Sequence, residues 1–228
     1  YANVLTKLGY RAHLIDQRNH GKSFWSNEFS YSIMAEDILN YCKYHKLEKV
    51  FILGHSMGGK VAMDLACNYP HLLKAFIVAD ISPKKYEPKH QKILNGLSCL
   101  DFNKISSRAE ADEKLSTVIP ENNLRQFLLK NLYWIEKGKL SLRINIEVLK
   151  KANHMIGEEL NSNFHSELPC LFLKGVNSDY ILDSDVEMIR GYFPKSEMVT
   201  ISGAGHWLHS ENPKEFIEFT SKWLNEFN

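Results

Sequence analysis

No stretch of this 228-residue chain is long and apolar enough to span a bilayer, although apolar residues make up 44% of it. An excess of either charge is also missing. Lys plus Arg is 28 and Asp plus Glu 27, a formal net charge of +1, so no global field steers the chain to nucleic acid or an anionic membrane. A local basic cluster, Lys84, Lys85, Lys89 and Lys92, reads as a solvated helix face. Cysteine is sparse and scattered: Cys42, Cys67, Cys99 and Cys170 show neither metal-ligand spacing nor a close redox pair. Cys42 and Cys67 fall inside helical patterns and read as small apolar residues. A reducing compartment is therefore expected, the cytoplasm, or the mitochondrial matrix for a eukaryotic source. Repeats and low-complexity segments are absent. An initiator methionine is absent too, and residues 1–9 read as the tail of an amphipathic helix stopped by Gly9. The expectation is an N-terminally truncated sequence in which any targeting peptide is out of view.

What is present is concentrated in Gly54-His55-Ser56-Met57-Gly58-Gly59. An apolar, strand-like run (49–53) precedes it and a helical pattern (57–68) follows. A serine on so sharp a strand-to-helix turn is lifted clear of the sheet, where a base can reach it, and the flanking glycines leave room for the tight turn. This is the nucleophile-elbow pattern G-x-S-x-G in its supporting context. The same residues nearly spell a phosphate loop, from Gly54 to Gly59 and Lys60. That motif next needs Ser or Thr for magnesium, and Val61 is neither.

Around the elbow the pattern alternates. Strands are expected at 11–16, 49–53, 72–80, 169–174 and 197–201, and helices at 31–45, 57–68, 184–192 and 213–227, the last capped by Asn212. From about 83 to 164 helical patterns dominate, at 88–98, 107–118, 121–132 and 144–156, with a small hairpin within 133–142. Ser107 with Glu110 forms a capping-box signature. The expected architecture is an α/β core (1–82 and 165–228) with a mostly parallel sheet, helices on both faces, and an inserted helical lid (83–164).

A serine hydroxyl needs a base, and the base an orienting group. Of ten histidines, His206 is best placed, in Gly203-Ala204-Gly205-His206-Trp207 after a strand and late in the chain. His55 flanks the serine but elbow geometry points it away from the nucleophile. His209 lacks companions for a metal site, so no metal is expected. His20 sits in a loop that can border the pocket, and His90, His154 and His165 read as surface or linker residues. Two aspartates remain open as the acid, Asp80 and Asp179. Both follow strands, and both keep the order serine, acid, histidine. Asp16 would break that order and reads as a loop organiser.

With these residues in view, the chain resembles the α/β-hydrolase superfamily, and within it the YbfF-type esterases and their mitochondrial abhydrolase-domain relatives. Asp16-Gln17-Arg18-Asn19-His20-Gly21-Lys22-Ser23 is similar to that group's D-x-R-N-H-G-x-S loop, the elbow matches, and Asp80-Ile81-Ser82-Pro83 resembles its D-I-[SA]-P segment. Arg143-Ile144-Asn145-Ile146 and Gly175-Val176-Asn177-Ser178 resemble its lid and late-strand motifs. The resemblance implies Asp80 as the acid, with Asp179 second, because Ser178 stands where most of the superfamily carries the acid. It also implies an oxyanion-hole His-Gly motif that is not found here, which leaves the Met57 backbone N–H as the identifiable donor. The function implied is a serine esterase or thioesterase acting on a small acyl ester or thioester through an acyl-enzyme, with no cofactor. Phe127, Leu128, Leu132, Tyr133 and Trp134 are candidate pocket residues, and His55, Tyr133, Trp134 and Trp207 candidate substrate contacts. The alternatives are lactone or C–C bond hydrolysis on the same triad, or a non-catalytic ligand-binding relative.

Overall fold

The computed structural model describes residues 1–87 and 91–227. Lys89 and His90 lie outside the described residues. Among the described residues, six strands follow in chain order: β1 Val50–His55, β2 Leu73–Ala79, β3 Leu132–Glu136, β4 Lys139–Leu142, β5 Cys170–Gly175 and β6 Ser196–Ile201. The chain divides into two compact units.

The first unit comprises Tyr1–Ile15, Tyr31–Lys85 and Glu159–Asn228. Its centre is a parallel sheet in the order β1-β2-β5-β6. Along β2, Ala75, Ile77 and Ala79 alternate with Phe76 and Val78, and all five are buried, so both faces of the sheet are covered. Leu208, Phe216, Trp223 and Leu224 join the Ala75 and Ile77 face, bringing in the C-terminal helix Pro213–Asn225. On the other face the Phe193 ring lies 5.3 Å from Phe76 and 5.9 Å from Phe172. The elbow helix Met57–Asn68 also covers this side, since a Cβ on Gly59 would stand 3.0 Å from Val78 Cγ1.

The register sets up the chemistry. His55 pairs with Ala79, Ala79 with Leu173, and Gly175 with Ile201. Parallel strands in this register end at a common rim, where Ser56 and Asp80 are the next residues after β1 and β2.

The strand expected at 11–16 does not form, and Leu14 there is 85% exposed. A strand needs a neighbour to complete its ladder, and among the described residues no strand pairs with the outer edge of β1. The basic cluster is also read differently: Lys84 is not on a solvated helix face but half-buried, with its Nζ 2.5 Å from Asp185.

The second unit gathers Asp16–Ser30 with Tyr86–Glu158. Its helices are Gln91–Ser98, Arg108–Ser116, Asn122–Leu129, Ile146–Lys151 and Asn153–Ile156. The Ser107 side chain accepts the Glu110 N–H at 3.2 Å, while the Glu110 carboxylate reaches back to the Ser106 N–H at 2.8 Å. The helix expected at 144–156 is broken at Ala152. Two of the quoted motifs meet in this unit. Asn145 donates its backbone N–H to the Asn19 carbonyl at 2.9 Å, and its side-chain amide to Asn19 Oδ1 at 3.1 Å. Gly21 donates to the Arg143 carbonyl at 2.6 Å. Asp16 does organise this loop, accepting the Lys22 N–H at 2.9 Å.

Candidate active site

Ser56 sits between β1 and the elbow helix with φ of 53°, a left-handed conformation costly for a residue with a side chain. Two glycines permit the turn. A Cβ on Gly54 would lie 2.0 Å from the Gly58 carbonyl oxygen, and one on Gly59 would lie 2.5 Å from Ile81 Cγ2. Gly58 is different, because a Cβ there meets nothing within 4 Å. The steric need for glycine thus falls on positions 54 and 59, not 58. The Ser56 N–H is fixed by the Ala79 carbonyl at 2.9 Å, which ties the elbow to the end of β2.

The His206 imidazole meets this serine, with Nε2 3.0 Å from Ser56 Oγ. Its Nδ1 is 2.8 Å from Asp80 Oδ2. These contacts fit the tautomer with the proton on Nδ1, leaving Nε2 to accept from the serine. Asp80 is fully buried and also left-handed, with φ of 51°. Its carboxylate accepts the Gly175 N–H at 3.0 Å and the Ser178 hydroxyl. Asp80 is therefore the carboxylate at His206, while Asp179 is exposed in the turn after β5. The Tyr180 ring stacks on His206 at 3.7 Å and 16°.

The loop carrying His206 is pinned to the end of β5. Val176 donates to the Ile201 carbonyl and Asn177 to the Ala204 carbonyl, at 3.1 and 2.9 Å. A Cβ on Gly175 would come within 2.3 Å of the Gly205 carbonyl oxygen, so only glycine admits the loop this close.

The His55 side chain is turned to the loop that carries His206. Its Nε2–H donates to the His206 carbonyl at 2.7 Å, and burial pushes its pKa down to about 4, with His206 nearby adding to the effect. Trp207 packs on the His55 ring at 5.3 Å and His209 at 4.8 Å. Burial lowers the His209 pKa as well. Among the described residues, no group of three or more His, Cys, Asp or Glu side chains could hold a metal ion. Tyr133 and Trp134 lie on β3 of the second unit, Tyr133 with the Arg143 guanidinium 5.1 Å from its ring centre and Trp134 49% exposed. Met57 opens the elbow helix, where first-turn N–H groups have no intrahelical acceptor. Lys60, the last residue of the phosphate-loop-like match, is buried with its Nζ on backbone carbonyls.

Sequence reasoning missed the parts that support Asp80. Ser178 stands out only as a serine where an acid is usual, and Tyr180 carries no signal in sequence because its stacking depends on how the β5 turn folds back.

A family model for the alpha/beta hydrolase fold matches residues 2–213. The chain belongs to this family. Among its relatives is a putative esterase/lipase of Haemophilus influenzae, 37% identical over 215 residues that cover 93% of this chain and 73% of that protein. The sn-1-specific diacylglycerol lipase ABHD11 of Mus musculus is 34% identical over 227 residues, covering 97% and 74%. A solved structure described as a marine microorganism esterase superposes with a TM-score of 0.92 at 41% identity, over 96% of this chain and 88% of that one. As in other members, a parallel sheet lies between helices. No helix among the described residues of this family member is long and apolar enough to cross a membrane.

Proposed function

We propose that this protein is a serine hydrolase that cleaves carboxylic ester or thioester bonds of a small acyl substrate. The single observation that carries the reading is the continuous chain Ser56 Oγ, His206, Asp80, with contacts of 3.0 and 2.8 Å. His206 Nε2 takes the hydroxyl proton as Ser56 Oγ attacks the acyl carbonyl carbon. The Met57 N–H, at a helix N-terminus, faces the oxygen on which negative charge develops. As the tetrahedral intermediate collapses, the imidazolium gives its proton to the departing alcohol or thiol, and an acyl-Ser56 ester remains. Water then attacks that ester, losing its proton to His206, and the acid leaves as Ser56 regains its hydrogen. Asp80 keeps the proton on Nδ1 and stabilises the transient imidazolium. The relatives' names, an esterase/lipase and a diacylglycerol lipase, agree with an acyl ester substrate.

Turnover of matched acyl esters, acyl-thioesters and lactones tests the reading and separates the substrate classes. Esters or thioesters are expected to react with a burst of released alcohol or thiol, and Ser56→Ala to lose about 10⁴-fold or more in kcat. Undiminished turnover in Ser56→Ala, or binding of these substrates with no turnover at all, would refute it.

A further inference from the structure

We propose that Lys60 is a positioning residue for this reaction: its side chain ties the elbow helix to the backbone just past Asp80, holding Ser56 and Asp80 in the conformations their alignment requires. The inference rests on the reading of Ser56 as nucleophile.

Lys60 is fully buried in the elbow helix, an unusual place for lysine. Its backbone N–H donates to the Ser56 carbonyl at 3.2 Å, which puts it one helical turn beyond the nucleophile. Its Nζ donates at 2.8 Å to the Pro83 carbonyl and at 2.8 Å to the Lys84 carbonyl. One side chain therefore spans from the serine's helix to the segment that leaves the acid.

That segment is tightly held. Ile81, Ser82 and Pro83 are buried. The Pro83 carbonyl also accepts the Leu160 N–H at 2.8 Å, and Lys84 is ion-paired with Asp185. Glu159 and Lys84 add opposing charge effects on Lys60. On the other side of Asp80, its own N–H is fixed by the Leu173 carbonyl at 2.8 Å. Ser56 and Asp80 both have positive φ, at 53° and 51°. Such conformations persist only where the surroundings over-determine them. Gly59 lets the helix approach this segment, and Lys60 fastens it there. A methionine of similar length would fill the space at a smaller desolvation cost but would donate to neither carbonyl.

The test uses the intact chain with Lys60→Met. The rate of Ser56 labelling by a fluorophosphonate and kcat on an ester turned over by wild type are each expected to fall about 10- to 100-fold, since small misplacements cost rates of this order. KM should change little. The melting temperature at pH 6 should match or exceed wild type, because a buried cation has been removed. Wild-type rates in Lys60→Met would overturn the proposal, as would a rate loss that merely tracks a lower melting temperature. Lys60→Leu serves if Lys60→Met does not fold. Failure of both to fold would also overturn it, since the lysine would then hold the fold and not the site. Ser56→Ala, run alongside, keeps the two readings apart. Labelling that persists in Ser56→Ala sinks the hydrolase reading, whereas labelling lost there but normal in Lys60→Met sinks only this one.

Discussion

Lys60 shows how far a residue's surroundings can move its chemistry. Burial lowers its pKa from 10.5 to about 7, the dominant cause being loss of water around the cation. Below pH 7 both the folded and the unfolded chain carry the proton, and the folded state bears the full desolvation cost. Between about 7 and 10.5 the folded chain has released the proton and the unfolded chain still holds it. Stability must therefore rise with pH across that window, by up to about 1.4 kcal/mol per pH unit from this group. Urea melts of wild type and Lys60→Met at pH 6 and pH 9 isolate the effect. The stability of Lys60→Met relative to wild type should drop by on the order of 2 kcal/mol from the lower pH to the higher. A pH-independent difference would mean that Lys60 does not titrate in this range. None of this was legible in sequence, where Lys60 reads as the tail of a failed phosphate loop. The strand-to-helix turn at Ser56 is legible because its signal is local: glycines, strand before, helix after. The choice between Asp80 and Asp179 was not local, since both follow strands. It turns on the loop fold that brings His206 to Asp80, with Ser178 as a further donor.

At the scale of elements, the elbow helix shows which part of the G-x-S-x-G pattern is steric. Gly54 and Gly59 stand where a Cβ would strike neighbouring atoms, whereas Gly58 faces open space. Gly54→Ala drives a methyl into the Gly58 backbone and should destabilise the fold by about 1–3 kcal/mol or more. Gly58→Ala should be neutral or stabilising by about 0.5–1 kcal/mol, since alanine outranks glycine inside a helix. Chemical denaturation of the two variants decides the point, and equal destabilisation would contradict it. The 11–16 segment teaches the opposite lesson about elements. Its short apolar pattern reads as a strand, but pattern supplies only half of a ladder. The hydrogen-bonding partner has to come from elsewhere, and among the described residues none does. The helices at 31–45, 57–68 and 213–227 were legible because an apolar stripe at helical spacing needs only something apolar to cover it.

Over the whole molecule, the alternation of strands and helices foretold a parallel sheet with both faces buried, and the register of β1, β2, β5 and β6 lines up the strand ends from which the candidate site is built. Four strands that end together gather residues far apart along the chain, Ser56 and His206 being separated by 150 positions. Chain order says only that Ser56, Asp80 and His206 follow one another along the sequence. Only the register says that they end at one rim. The direct measurement of that convergence is covalent labelling with a fluorophosphonate, read by mass spectrometry on wild type, Ser56→Ala and His206→Ala. One adduct on Ser56 in wild type is expected, with none in Ser56→Ala and labelling slowed by at least about 100-fold in His206→Ala. An adduct on another residue, or labelling of Ser56 at an unchanged rate without His206, would contradict the account.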